Sequence, residues 1–263
     1  MSFRRRLALL AAALLSGILP AAAAEAAPTV SLRFVSESLA PYSFLKDGKP
    51  AGPLVELLQL ACGQLGWRCS VELHPWRQAL AMAERGEVDG VLVLADTPQR
   101  QGRFHFSVPI VDARYTLFAR AGDDFRLGTD RSALHGRRLA AYGPSGTSQA
   151  MLDLVAGLDV TTVIEADNLV LLRKLAAGAY GEHGLALVNE SVALHLIREH
   201  LLGGLQSAGR VKEFSYSFAL VRTRVPEARQ REFDAALTAL CRSGRTAALL
   251  SAQGLPASAC RRN

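Results

Sequence analysis

The sequence predicts an α/β fold built as two lobes, and three observations indicate it. Strand-like and helix-like patterns alternate with short connections, which is typical of parallel sheets covered by helices. Two such series of similar size follow one another, with breaks in the pattern near residues 120 and 214. The chain has 263 residues, more than one hydrophobic core commonly holds, even after loss of an N-terminal leader. We therefore expect a cleft between two lobes, where such folds bind their ligands.

The N-terminus has the layout of a secretory signal peptide. Arginines at positions 4–6 precede an apolar stretch over residues 7–19, and a run of alanines follows. The apolar stretch is shorter than the roughly 20 residues that a membrane-spanning helix needs. We predict a signal peptide over residues 1–24, with cleavage between Ala24 and Ala26, and export to the periplasm.

The composition argues against a nucleic-acid-binding protein. The formal net charge is +6, and three of the positive charges lie in the predicted signal peptide. The remaining basic residues are scattered along the chain, which is typical of an ordinary solvated surface. The histidines and cysteines lack the spacing of a metal site, and we find no motif for a cofactor, a phosphate loop or a serine nucleophile.

The cysteines are consistent with an oxidising compartment. There are four of them, which permits three pairings. Their spacing favours two local disulfides, Cys62 with Cys69 and Cys241 with Cys260. Free buried thiols are the alternative interpretation. Either bridge would close a short loop and staple a region of the fold.

The first series of elements begins with a strand over residues 30–35. A tight turn at residues 46–49 leads to a helix whose leucines and alanine share one face and which Gly66 ends. The uninterrupted apolar run over 91–95 predicts a strand buried on both faces. Thr97 and Pro98 then suit the N-cap and first position of a short helix. The remaining predicted elements of this series are a strand over 69–73, a helix over 76–85 and a strand over 114–119.

The second series begins near residue 137 and repeats the alternation. A glycine-containing loop over residues 143–147 separates its first strand from its first helix. The predicted strands cover 138–142, 160–164, 185–188 and 215–221, and the predicted helices cover 148–155, 168–177 and 191–201. A final helix follows, with Phe233, Leu237 and Leu240 on one face.

Several segments, in order along the chain, carry a resemblance to a known family. They are Ala40-Pro41-Tyr42, Gly52-Pro53-Leu54-Val55-Glu56-Leu57, Gly86-Glu87-Val88-Asp89-Gly90, Thr97-Pro98-Gln99-Arg100, Phe106-Ser107-Val108-Pro109 and Val188-Asn189-Glu190. With them the chain resembles the extracellular solute-binding proteins of family 3, the periplasmic receptors of polar amino acid transporters. The resemblance extends over essentially the whole chain after the leader.

The resemblance implies a periplasmic-binding-protein-like fold of type II, with two α/β lobes and a hinge of two crossing strands. Lobe one would comprise residues 28–120 plus 215–263, and lobe two residues 121–214. It further implies a monomer that closes by hinge motion on a small carboxylate-bearing ligand and delivers it to an ABC permease of the inner membrane. No cofactor, metal or nucleic acid is expected, and we do not expect an enzyme.

The resemblance also implies which residues hold the ligand. Arg100 matches an arginine that clamps a carboxylate with its planar fork of donors. Ala95 stands where a hydroxyl would normally assist, so that only its backbone amide remains to help. Asn189 matches an aspartate that binds an ammonium group, and a neutral amide cannot neutralise that charge. These departures leave two ligand types open, an amino acid held differently and a carboxylate without a full amino group.

Further site candidates come from the loop at residues 143–147 and from aromatic side chains. Ser145 and Thr147 lie between a strand and a helix N-terminus, where backbone amides point outward to bind anions, and the resemblance implies that Thr147 binds the ligand's carboxylate. A helix cap at Ser148 or Thr147 is the alternative interpretation. Tyr42 and Trp76 would form the wall of the pocket, with core packing as the alternative. We interpret Glu37 as a solvated loop carboxylate rather than a ligand for a positive group.

Two other functions fit the same scaffold. An enzyme of the cyclic acid dehydratase type would need a general acid in the cleft, for which Asp96 and Glu37 are the candidates. A free-standing sensory protein would use the same closure to signal to a partner, and the sequence does not separate it from a transport receptor.

Overall fold

The computed structural model describes residues 30–260. The predicted signal peptide lies outside the described residues. Eleven strands occur in the described part of the chain: β1 (Ser31–Ser36), β2 (Phe44–Lys46), β3 (Lys49–Ala51), β4 (Arg68–Leu73), β5 (Gly90–Ala95), β6 (Phe104–Phe106), β7 (Val111–Arg120), β8 (Arg138–Tyr142), β9 (Thr161–Glu165), β10 (Leu185–Asn189) and β11 (Leu205–Val221).

Between the strands lie eight α-helices and one short 3₁₀ helix over Arg131–Leu134, again counted over residues 30–260. The α-helices are α1 (Pro53–Gln64), α2 (Trp76–Glu84), α3 (Pro98–Gln101), α4 (Gly146–Val155), α5 (Asn168–Ala176), α6 (Glu190–Glu199), α7 (Glu227–Arg242) and α8 (Arg245–Ser251). In this part of the chain no helix is long and apolar enough to cross a membrane.

One sheet of nine strands runs through the molecule in the order β4-β1-β5-β11-β7-β10-β8-β9, with β6 paired to β11. The long strands β7 and β11 pair antiparallel at its centre. Because β11 also pairs with β5 and β7 also pairs with β10, these two strands join the two halves of the sheet. The predicted fold class, two α/β lobes with a hinge of two crossing strands, is confirmed. We propose residues 120 and 214 as lobe boundaries, at the end of β7 and within β11.

The first half of the sheet is covered by helices on both faces. Helix α1 begins at Pro53 and buries the face that carries Leu57, Leu58 and Ala61 against the sheet. Gly52 precedes it with φ 111°, and a Cβ there would lie 2.7 Å from the Tyr42 carbonyl oxygen. Only glycine combines that backbone angle with so close an approach of another segment. The loop that carries Tyr42 is thereby packed tightly against the start of α1.

The second half has its own two apolar layers, one on each face of the sheet. Leu139, Met151 and Leu187 lie in the layer beneath α4. Leu172 and Ala186 lie in the layer beneath α5. Every one of these side chains is fully buried. The apolar runs of β8 and β10 are therefore those of strands that helices cover on both faces of the sheet.

Both predicted local disulfides are formed. Cys62 of α1 is bonded to Cys69 of β4, with a Cα–Cα distance of 6.2 Å. Cys241 of α7 is bonded to Cys260 near the C-terminus, with a Cα–Cα distance of 6.3 Å. The second bridge holds the last described residues beside β7, where the Ser258 amide donates to the carbonyl of Ile110.

The sequence prediction missed several elements. The hairpin β2–β3, the strand β6 and the helix α8 were not predicted, because each is too short to show a clear period. The largest difference is β11, which has 17 residues whereas the pattern predicts a strand only over 215–221. Its first half is exposed or half-buried except at Ala208, contains Gly209 and is interrupted by two register shifts against β7, so the apolar alternation is lost there.

Candidate functional site

A cavity of about 970 Å³ lies between the two halves of the molecule. Its walls come from the segments that follow β1 and β5, from α2 and from the beginnings of α4 and α6, and its floor comes from β7 and β11. Ligand-binding clefts of proteins have this size. Six of the seven predicted ligand-binding residues line the cavity: Ala95, Trp76, Arg100, Ser145, Thr147 and Asn189.

Arg100 is the half-buried cation of this cavity. It lies on the short helix α3, which begins with Pro98 after Thr97 in the predicted N-cap position, although the Thr97 side chain makes no capping hydrogen bond. The Nη1 atom of Arg100 donates to the carbonyl oxygen of Ala95 at 3.1 Å. No salt bridge to Arg100 occurs among residues 30–260. Burial lowers the pKa of its guanidinium, which still carries its charge at neutral pH.

Asn189 is occupied by structural hydrogen bonds. It is the N-cap of α6, and its Oδ1 accepts from the Val192 amide at 3.3 Å and from the Tyr42 hydroxyl at 3.1 Å. Its Nδ2 donates to the Tyr216 hydroxyl at 3.4 Å. The capping bond fixes the orientation of the side-chain amide. The Oδ1 atom of Asn189 therefore faces, and accepts hydrogen bonds from, two donors of the protein itself.

Tyr42 lies elsewhere than the sequence led us to expect. It is fully buried and does not line the cavity. Its ring packs edge-on against Tyr216, with centroids 5.6 Å apart, and burial raises its pKa to about 12. The structure therefore places Tyr42 behind the wall, where it orients Asn189. Trp76 does line the cavity, at the first position of α2, and it also packs on the apolar layer of that helix.

The two serine and threonine candidates at the start of α4 have different surroundings. The Ser145 hydroxyl accepts from the amides of Thr147 and Ser148 and donates to the Tyr142 carbonyl at 2.7 Å. It forms a capping box with Ser148, so its hydrogen-bonding capacity is used by the fold. Thr147 is buried, and its side chain meets the Tyr115 hydroxyl. The N-cap is thus Ser145, with Ser148 as its partner in the capping box, whereas the sequence placed the alternative cap at Ser148 or Thr147.

Three aromatic side chains of the crossing strands form the floor of the cavity. Tyr115 of β7 lies 4.7 Å from Phe214 of β11, and Phe214 lies 5.0 Å from Tyr216, each measured between ring centroids. The sequence prediction missed all three. The spacing of Phe214 and Tyr216 in a strand, two residues apart, was the available signal, because it places both rings on one face.

Glu37 and Tyr142 meet across the cavity. The Tyr142 hydroxyl donates to Oε2 of Glu37 at 2.8 Å, and both residues line the cavity. Glu37 is half-buried, and burial raises the pKa of its carboxyl to about 7, against the smaller opposite effect of the Tyr142 hydrogen bond. The interpretation of Glu37 as a solvated loop carboxylate is wrong, because the second half of the molecule covers it.

The family model for bacterial extracellular solute-binding proteins, family 3, matches residues 33–252. The chain belongs to this family. Its members are extracellular binding proteins, and the resemblance seen in the sequence is confirmed. No curated protein matches the chain.

Solved structures share the family 3 fold. A histidine kinase sensor domain with similarity to periplasmic binding proteins has a TM-score of 0.74 at 23% identity, over 88% of this chain and 98% of that one. The amino acid ABC transporter substrate-binding protein AbpA from Streptococcus pneumoniae Canada MDR_19A, bound to L-arginine, has a TM-score of 0.70 at 20% identity, over 85% of this chain and 94% of that one. The ancestral amino acid-binding protein AncCDT-1, a precursor of cyclohexadienyl dehydratase, has a TM-score of 0.71 at 17% identity, over 85% of this chain and 94% of that one.

Proposed function

We propose that this family 3 protein is a periplasmic receptor that captures a small carboxylate-bearing solute by closure of its two lobes and delivers it to an ABC permease. The observation that carries the proposal is Arg100, a half-buried guanidinium in the cavity that forms no salt bridge among the described residues. A buried charge of this kind is costly unless something neutralises it, and a bound carboxylate would do so with two parallel hydrogen bonds.

Contacts across the cavity support closure. Tyr42 and Glu37 belong to the proposed lobe one, and Asn189 and Tyr142 to lobe two. The hydrogen bonds Tyr42–Asn189 and Tyr142–Glu37 connect them at 3.1 and 2.8 Å. A ligand that touches both walls adds to these contacts only in the closed state, and it would shift the population toward that state.

A thermal-shift screen of the protein without residues 1–24 tests the proposal. Amino acids, dicarboxylates, aromatic acids and small peptides are the probes, since a ligand that binds only the folded state raises the Tm. Arg100→Ala should abolish the shift, because loss of one partner of a buried charge pair costs about 2–5 kcal/mol. Arg103→Ala is the matched control, because Arg103 is exposed and paired with Glu84. A carboxylate that shifts Arg100→Ala as much as wild type contradicts the clamp.

A second candidate, an enzyme of the cyclic acid dehydratase type, gains support from Glu37. A carboxyl with a pKa of about 7 beside a cavity suits a general acid at neutral pH. Incubation of ligands found by the screen, followed by mass spectrometry, separates the two functions. A receptor returns the ligand unaltered, whereas a dehydratase releases a product that has lost water.

The sensory alternative gains support from the likeness to a histidine kinase sensor domain. Uptake of the identified ligand by cells with and without this protein distinguishes it from transport. Transport predicts that uptake falls when the protein is missing. Unchanged uptake together with an altered response to the ligand would favour the sensory function.

A further inference from the structure

Two half-buried charged side chains of opposite sign line the cavity, and neither forms a salt bridge among residues 30–260. The other charged side chains of the lining, such as Arg77 and Lys212, are exposed. Arg100 bonds to a backbone carbonyl, and Glu37 accepts a hydrogen bond from the Tyr142 hydroxyl. Tyr142 uses Oε2 of Glu37, and no described residue donates to its Oε1. The lack of a cation near Glu37 is also why burial dominates its pKa.

Asn189 and the carboxylates other than Glu37 that line the cavity are occupied or exposed. Asn189 is neutral, and its Oδ1 already accepts from two donors. Glu84 is paired with Arg103 at 2.9 Å. Asp96 and Asp153 are exposed and accept from glutamine side chains of their own segments. Glu37 is therefore the carboxylate that a buried cationic group of a ligand would meet.

The two half-buried charges line the same cavity, and both act on the hydroxyl of Tyr115. Glu37 follows the end of β1, and Arg100 is bonded to Ala95, the last residue of β5. These strands are parallel neighbours in the sheet, and such neighbours lie about 4.8 Å apart. A small molecule bound in this cavity would meet both charges above the aromatic floor of Tyr115, Phe214 and Tyr216.

We propose that Glu37 binds a cationic group of the ligand, so that the solute is a dipolar molecule held by its anionic group at Arg100 and by its N–H-bearing cationic group at Oε1 of Glu37. This inference rests on the proposed function and deepens it, because it assigns the cation to the first lobe and not to Asn189. Tyr142 would remain bonded to Oε2, so the ligand's cation, Glu37 and the second lobe would be joined in the closed state.

Binding of a cation at Glu37 would release protons. Among residues 30–260, three ionisable groups interact electrostatically with Glu37, namely the hydroxyls of Tyr142, Tyr115 and Tyr216. Burial raises the pKa of each hydroxyl, so all three keep their protons at neutral pH. Because burial raises the pKa of Glu37 to about 7, part of the ligand-free molecules carry a proton on this carboxyl at neutral pH. A neighbouring cation lowers that pKa, so a fraction of a proton should leave for each ligand bound.

Matched probes test the inference on the wild-type protein. Each α- or ω-amino acid of two to six carbons is compared with the carboxylic acid that lacks its amino group and with the amine that lacks its carboxylate. Binding is measured first by thermal shift. Calorimetry in two buffers of different ionisation enthalpy then gives the affinity and the number of protons released. We expect at least one amino acid to bind ten times more tightly than both of its counterparts, with release of a measurable fraction of a proton at pH 7.

The Glu37→Gln variant should then weaken the amino acid at least tenfold and release no proton, whereas the carboxylic acid should bind it as it binds wild type. Glu232→Gln, on the exposed part of α7, is the control and should behave as wild type. Equal binding of an amino acid and its deaminated counterpart overturns this inference and leaves the proposed function intact. If no carboxylate-bearing probe binds at all, the proposed function fails and the inference fails with it.

Discussion

Replacing Glu37 with glutamine should stabilise the ligand-free protein at high pH. Burial raises the pKa of Glu37 from its ordinary 4.5 to about 7. Below pH 4.5 the carboxyl is neutral in both the folded and the unfolded state and costs nothing. Between pH 4.5 and 7 only the unfolded state ionises, so the free energy of unfolding of wild type falls as the pH rises. Above pH 7 the full cost is present. Glutamine removes that cost and can still accept from Tyr142.

The size of the effect follows from the two pKa values. At about 1.36 kcal/mol for each pH unit between them, the upper limit is about 3.4 kcal/mol. Glu37 is partly exposed, and solvent screening reduces the cost, so we expect about 2 kcal/mol at pH 8. For a protein of this size that corresponds to about 4–8 °C in Tm.

The assay is the Tm of wild type, Glu37→Gln and the control Glu232→Gln at half-unit steps from pH 4 to pH 8. The difference between Glu37→Gln and wild type should be near zero at pH 4 and should grow up to pH 8. A difference that stays constant over this range would show that Glu37 is ionised and solvated in the folded protein, and the reasoning about the cavity would be refuted.

Three further outcomes are expected. Gly90→Ala should lower stability by about 3 kcal/mol or prevent folding, because its Cβ would lie 2.4 Å from the ring of buried Phe34; an unchanged urea midpoint would contradict this packing. Arg100→Ala should change the Tm of the ligand-free protein by less than about 2 °C, because the substitution removes one hydrogen bond and also the cost of burying the guanidinium. A large drop in Tm would show that Arg100 has a structural role. Replacing Cys241 and Cys260 with alanine should cost about 3 kcal/mol, as expected for a separation of 19 residues, and equal unfolding curves would show that the tail does not depend on the bridge.

The local elements of this protein were predictable because their signals lie within a few residues of one another. The apolar run over 91–95 predicted β5, and Pro98 after Thr97 predicted the start of α3. The spacing of the cysteines predicted both local disulfides. Arg100 was predicted from the same kind of short motif, and the structure places it in the cavity.

What the sequence by itself determined was therefore the α/β class, most strands and helices, the disulfides and six residues that line the cavity, Arg100 among them. Only the tertiary structure decided the surroundings of Glu37, which meets a tyrosine 105 residues away, and of Tyr42, which bonds to Asn189 147 residues away. It also brought Tyr115 against Phe214, on strands that pair across the hinge. Periodicity reports which face of its own element a side chain occupies, whereas burial, pairing and pKa depend on which distant segment packs against that face.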